Sequence, residues 1–136
     1  MVASVIVDAS YLVALLSHRD AHHQWASAQA VMHARPWQTC DAALSETFHM
    51  LGTEGASSLM KLLVRKSVLL PFVLAQEYES VLLFMQKYAD VPMSLADACL
   101  VRMTETLPDP IVLTADSDFR IYRRHSRHVI PCAMPR

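Results

Sequence analysis

A chain of 136 residues, 53% hydrophobic and 18% charged, is long enough to bury the core of one domain and too apolar for a disordered segment. No apolar stretch reaches the roughly 18–20 residues that span a bilayer, and no basic start leads into a long hydrophobic run, so a cytoplasmic protein without a membrane is the expectation. The net charge of −1 conceals a segregation: from Phe119 onward there are five arginines and no acids, against seven basic and thirteen acidic residues before it.

Val2 to Val7 is a short β-branched run of the kind buried on both faces of a parallel sheet, and it ends at Asp8. Helical segments follow over Ser10–Leu16 and about Ala21–His33, separated by the polar stretch Ser17–Asp20. A second strand is expected at Pro36–Thr39, and Asp41 then caps a helix over Ala42–Leu51 whose Leu44, Phe48 and Leu51 share a face. Gly52 and Gly55 predict a turn, with a further helix over Ser57–Lys66 that ends in basic residues.

Ser67–Phe72 reads as a third strand and Gln76–Tyr88 as an amphipathic helix with Val81, Leu82 and Met85 inward. Ser94 opens a helix through Thr106, closed by Pro108 and Pro110, and Ile111–Thr114 is a strand. A short helix near Ser117–Arg124 and an edge strand at His128–Pro131 complete the chain. Strands alternating with helices predict an α/β three-layer sandwich with a mostly parallel central sheet, in a single domain over residues 1–136.

Ligands of an open parallel sheet gather beyond the carboxyl ends of its strands, and two of those ends carry Asp8 and Asp116. Glu46 and Asp97 sit near the starts of predicted helices, from which a fold of this type can aim them at the same crevice. Asp97 is the only charged residue in the eleven from Val91 to Val101, and a lone buried carboxylate is costly without a partner or a metal. Each acid also has a plainer reading. Ser94 and Asp97 have the spacing of a capping box, Asp8 can cap the helix after the first strand, Asp116 or Asp118 can stabilise the next helix start, and Glu46 can be an ordinary rim residue. Capping does not, however, require acids at two strand ends and two helix starts together.

Four segments in this order, Val5-Ile6-Val7-Asp8-Ala9-Ser10, Leu44-Ser45-Glu46-Thr47-Phe48, Ser94-Leu95-Ala96-Asp97-Ala98 and Thr114-Ala115-Asp116-Ser117-Asp118-Phe119, resemble the PIN-domain nucleases. Among these the chain is most similar to the toxin halves of VapBC toxin–antitoxin pairs. The resemblance spans nearly the whole chain. It implies a PIN-like fold and a ribonuclease whose acidic cluster is Asp8, Glu46, Asp97 and Asp116, with Asp8, Asp97 and Asp116 on the metal and Asp118 an additional or substitute member. Ser10 and Thr114 are then supporting hydroxyls. An antitoxin partner, a homodimer, and products ending in a 3′-hydroxyl and a 5′-phosphate are further implications.

Carboxylates brought together must bind protons or a cation. All-oxygen ligation suits Mg²⁺ or Mn²⁺, which orients the scissile phosphate and activates a water without a protein nucleophile. Arg120, Arg123 and Arg124, with Arg127, are candidate contacts to RNA phosphates, against the plainer reading of a solvated face.

Other chemistries fare worse. Cys40, Cys99 and Cys132 lack the paired spacing of a disulfide framework or zinc site, and two glycines in all exclude a phosphate loop. His18/His22 and His125/His128 straddle helix ends and are better read as solvated than as zinc ligands. Aspartyl-phosphate phosphatases need a second Asp where Ser10 stands, and receiver domains need a lysine at a late strand end. The remaining alternative is a catalytically silent PIN-fold module that binds RNA or protein.

Overall fold

The computed structural model describes residues 2–136. Its elements in chain order are β1 (Ser4–Val7), α1 (Ala9–Leu16), α2 (His23–Met32), β2 (Trp37–Gln38), α3 (Asp41–Val64), β3 (Val68–Leu69), α4 (Leu74–Lys87), α5 (Leu95–Thr106), β4 (Pro110–Leu113), a 3₁₀ turn (Ser117–Arg120), β5 (Arg123–Arg124), β6 (His128–Val129) and β7 (Cys132–Ala133). Five strands form one sheet in the order β3-β2-β1-β4-β7, every pairing parallel.

All four residues of β1 are buried, because helices cover both faces of the sheet. Pleating sends alternate residues to opposite sides. Ile6 and Val112 enter a core with Val81 of α4 and with Ala98, Leu100, Val101 and Met103 of α5. Val5, Val7 and Leu113 enter a second core with Tyr11 and Leu12 of α1, Ala26 of α2, Leu59 of α3 and Trp37. The result is the expected α/β three-layer sandwich, its sheet wholly parallel.

The chain winds outward from β1 through β2 to β3, then returns to place β4 on the other flank of β1. This reversal opens a crevice beyond the carboxyl ends of β1 and β4. Register makes the two ends level, since Val7 pairs with Leu113. Asp8 and Thr114, one residue further on, are therefore side by side.

The structure departs from the expected elements in three places. The two helices expected over 42–51 and 57–66 are present but meet without the expected loop, joined across a kink at the non-helical Gly52, whose φ of 65° lies in the left-handed region, and they are counted together as α3. The glycine breaks the helix for a single residue, and the hydrogen-bonded turns resume at once. Gly55 is helical, and a Cβ there would lie 2.8 Å from Leu51 Cβ, so its smallness serves packing.

The helix expected over 117–124 is a single 3₁₀ turn, after which the chain extends into β5. The expected edge strand His128–Pro131 does not join the sheet: β6 pairs antiparallel with β5 in a separate hairpin, and the sheet edge is β7. The hairpin turns through His125 and Ser126 at φ 50° and 67°. With neither glycine nor Asn-Gly at the turn, the sequence carries no hairpin signal there.

Candidate active site

Asp8 terminates β1 and caps α1, its Oδ1 accepting the Ala9 N–H at 2.7 Å. Its Oδ2 accepts two hydroxyls, Thr114 at 2.7 Å and Ser10 at 3.0 Å. Both hydroxyls are themselves held, because Ser10 Oγ accepts the Ala115 N–H and Thr114 Oγ1 accepts the Asp116 N–H. Ser10 and Thr114 thus sew the loop after β4 onto the start of α1 and fix the carboxylate between them.

Asp97 forms the capping box with Ser94: its own N–H donates to Ser94 Oγ at 3.0 Å, and its Oδ2 accepts the Ser94 N–H at 3.2 Å. The same Oδ2 lies 3.2 Å from the hydroxyl of Tyr122. Asp116 caps the 3₁₀ turn, its Oδ1 accepting the Asp118 N–H at 2.9 Å. Capping is therefore real at all three acids. One oxygen each from Asp8, Asp97 and Asp116 nevertheless lies within 4.8 Å of the others, in the crevice where the strand order reverses.

Electrostatics records this proximity. Burial raises the Asp8 carboxyl above its ordinary range, its hydroxyl and amide donors offset part of the rise, and the Asp116 charge adds to it. Asp97 is pushed up to about 6 by burial and by the charges of Asp8 and Asp116, against the lowering by the Ser94 amide and Tyr122. Glu46 is exposed on α3 and stands outside the three, yet partial desolvation and the Asp97 charge raise it too. It faces the cluster from the rim. Asp118 is half-buried and contributes its backbone N–H to Asp116 rather than a fourth oxygen to the group.

Among the described residues no lysine or arginine pairs with these carboxylates; both ion pairs belong to Arg102, with Glu77 and Glu105. A buried acidic group without a protein cation needs protons or a metal. The donor set is all oxygen and suits a hard divalent cation.

The arginines divide. Arg124 donates from Nε and Nη2 to the Thr104 carbonyl near the end of α5, and Arg123 Nη1 donates to the carbonyls of Arg120, Ile121 and Tyr122. Both engage backbone acceptors of the fold. Arg120 is exposed, and its guanidinium has no hydrogen-bond or ion-pair partner among the described residues. Among the histidines, the His18 and His23 rings lie 4.6 Å apart and the His125 and His128 rings 6.4 Å apart, and His23 Nδ1 lies 2.8 Å from the Ala14 carbonyl.

Tyr122 was not visible as a site residue in the sequence. It lies among arginines that read as a solvated face, although its three-residue spacing from Phe119 is that of a buried side.

No family model matches the chain, and no curated protein sequence matches it. Among solved structures it is similar to Mycobacterium tuberculosis VapC20, named a sarcin–ricin-loop-cleaving toxin. The TM-score is 0.77 at 22% identity, over 85% of this chain and 92% of that one. The chain has the fold of that toxin, the PIN-like fold that the four motifs implied.

Proposed function

We propose that this chain is a metal-dependent endoribonuclease of the PIN-domain kind and the toxin of a toxin–antitoxin pair. The observation that carries the reading is the convergence of Asp8, Asp97 and Asp116 within 4.8 Å of one another, without a cationic side chain paired to them among the described residues, at the switch point of a parallel sheet. The shared fold with a protein named a sarcin–ricin-loop-cleaving toxin supports it.

Asp8, Asp97 and Asp116 would hold the metal. A bound Mg²⁺ or Mn²⁺ supplies a Lewis acid for the scissile phosphate and an acidified water as nucleophile. The chain supplies the rest. Ser10 and Thr114 keep Asp8 Oδ2 from rotating, and Asp118 does the same for Asp116 through its N–H. Glu46, carrying a carboxyl raised above its ordinary range, accepts the proton of the attacking water at the rim. Arg120, with donors to spare, contacts an RNA phosphate; Arg123 and Arg124 contribute positive potential from positions tied to the backbone. An antitoxin segment, a homodimer and action in the cytoplasm belong to the same reading.

The test is cleavage of a mixed single-stranded RNA pool and of a hairpin carrying a sarcin–ricin loop, with Mg²⁺ or Mn²⁺, against EDTA and the Asp97→Asn variant. Metal-dependent cutting, with new 5′-phosphate ends and lost in the variant, is expected. Folded protein that binds both RNAs and cuts neither under either metal overturns the nuclease in favour of a silent binding module.

A further inference from the structure

Asp97 has a second support that the capping box does not provide. We infer that Tyr122 is a positioning residue of the metal site: its buried hydroxyl, with the Ser94 amide, occupies Asp97 Oδ2 and leaves Oδ1 to the cation. The inference rests on the metal reading above and concerns a residue outside the acidic cluster.

Tyr122 is fully buried. Its ring is gripped edge-on from two sides, with centroids 5.3 Å from Phe119 and 5.2 Å from Tyr88. Tyr88 is anchored in turn, its hydroxyl accepting the Arg123 N–H at 3.0 Å. The Tyr122 oxygen therefore has one place to be. It lies 3.1 Å from the Pro92 carbonyl oxygen and 3.2 Å from Asp97 Oδ2. A phenol has a single proton to donate, and a bond to a carboxylate is roughly twice as strong as one to a neutral carbonyl. The proton goes to Asp97 whenever that group is ionised, which is the state that binds metal.

With two donors on Oδ2 and none on Oδ1 among the described residues, the carboxylate is held against rotation with one oxygen free. Supports of this kind orient a ligand before the metal arrives, and losing one typically costs 10–100-fold in metal affinity. The same contact ties the arginine-bearing segment after Asp116 to the cluster, since Arg123 is the next residue along.

The experiment is a Mn²⁺ titration of the full chain at pH 7.5, read from the electron paramagnetic resonance signal of free Mn²⁺, with thermal melts of the same samples. Tyr122→Phe keeps the ring and deletes the hydroxyl; Tyr11→Phe deletes a buried hydroxyl of the other core, which donates to the Ala26 carbonyl and takes no part in holding Tyr122. The expected result is a Mn²⁺ affinity about 10-fold or more weaker in Tyr122→Phe and unchanged in Tyr11→Phe, with RNA cleavage by Tyr122→Phe restored at higher Mn²⁺. Unchanged affinity in Tyr122→Phe, or an equal loss in both variants, overturns the inference: the hydroxyl then serves Pro92 or the fold alone. A wild type that binds no Mn²⁺ overturns the metal reading itself, and the inference with it.

Discussion

Replacing Asp97 with asparagine should make the metal-free protein more stable at neutral pH, although it removes a residue that caps a helix. Both protein donors to the Asp97 side chain, the Ser94 amide and the Tyr122 hydroxyl, converge on Oδ2. An amide oxygen placed there accepts both, and the amide nitrogen then replaces Oδ1 beside two carboxylates, turning repulsion into attraction. The native acid carries a cost, because it ionises near about 6 in the fold against an ordinary 3.8. At pH 7.5 holding it charged costs the folded state about 3 kcal/mol. Discounting for the imperfect match of amide to acid leaves a gain of about 1–3 kcal/mol, or about 3–10 °C in Tm for a chain of this size.

The sign follows from linkage. An acid raised in the folded state binds more protons folded than unfolded between the two values, so wild-type stability falls as pH rises from 3.8 toward about 6 and stays low above it. Melts in EDTA from pH 4.5 to 7.5 should therefore show wild type and Asp97→Asn converging at the acid end and the variant leading at neutral pH. Added Mn²⁺ should reverse the order by stabilising wild type alone, by about 2.7 kcal/mol at a hundred times the dissociation constant. A variant that melts below wild type at pH 7.5 in EDTA would refute the reasoning, because the cap would then outweigh the repulsion.

Asp8→Asn should also abolish metal-dependent cleavage, but at a cost of about 1–3 kcal/mol in a urea melt, because both Asp8 oxygens accept bonds and one must become a donor facing donors; a variant as stable as wild type would contradict that hydrogen-bond scheme. Glu46→Gln, on an exposed position, should leave stability within about 0.5 kcal/mol and lower kcat by about 10²-fold or more, and an unchanged single-turnover rate would remove Glu46 from the chemistry. Arg120→Ala should weaken RNA binding and reduce the slope of log K against log salt by about 1, so an unaltered slope in filter binding would show that Arg120 touches no phosphate.

The acids and the strands that carry them were readable because they sit where two sequence signals meet. An apolar β-branched run ending in an acid states both the strand and its carboxyl end, and register does the rest by placing Val7 opposite Leu113. Alternation of strands with helices likewise implied the α/β layers and the mostly parallel sheet, though not the order β3-β2-β1-β4-β7. The tail did not yield to the same logic. In Tyr122-Arg123-Arg124 the arginines dominate the composition, yet their charges are turned to backbone carbonyls at Thr104 and Arg120 and the tyrosine between them is buried. Long basic side chains can cap helix ends as readily as they face water, and the sequence alone does not say which carbonyls lie within reach. The hairpin was hidden for a similar reason, since its left-handed residues are His125 and Ser126 rather than glycine.

The two readings of these aspartates, cap and ligand, prove to be one arrangement. A carboxylate has about four lone-pair positions, and Asp8, Asp97 and Asp116 each give one oxygen to a backbone amide at the start of a helical turn. That bond fixes the side-chain rotamer and so aims the remaining lone pairs at the crevice. A cap thus does for a metal ligand what a separate supporting residue does elsewhere, at no extra cost in sequence. It follows that alanine at any of the three removes two functions together and says little about either. Asparagine separates them at Asp97, where the donors share an oxygen, and fails to at Asp8, where they do not. The difference in stability between those two variants is accordingly the sharper measure of how the site is built.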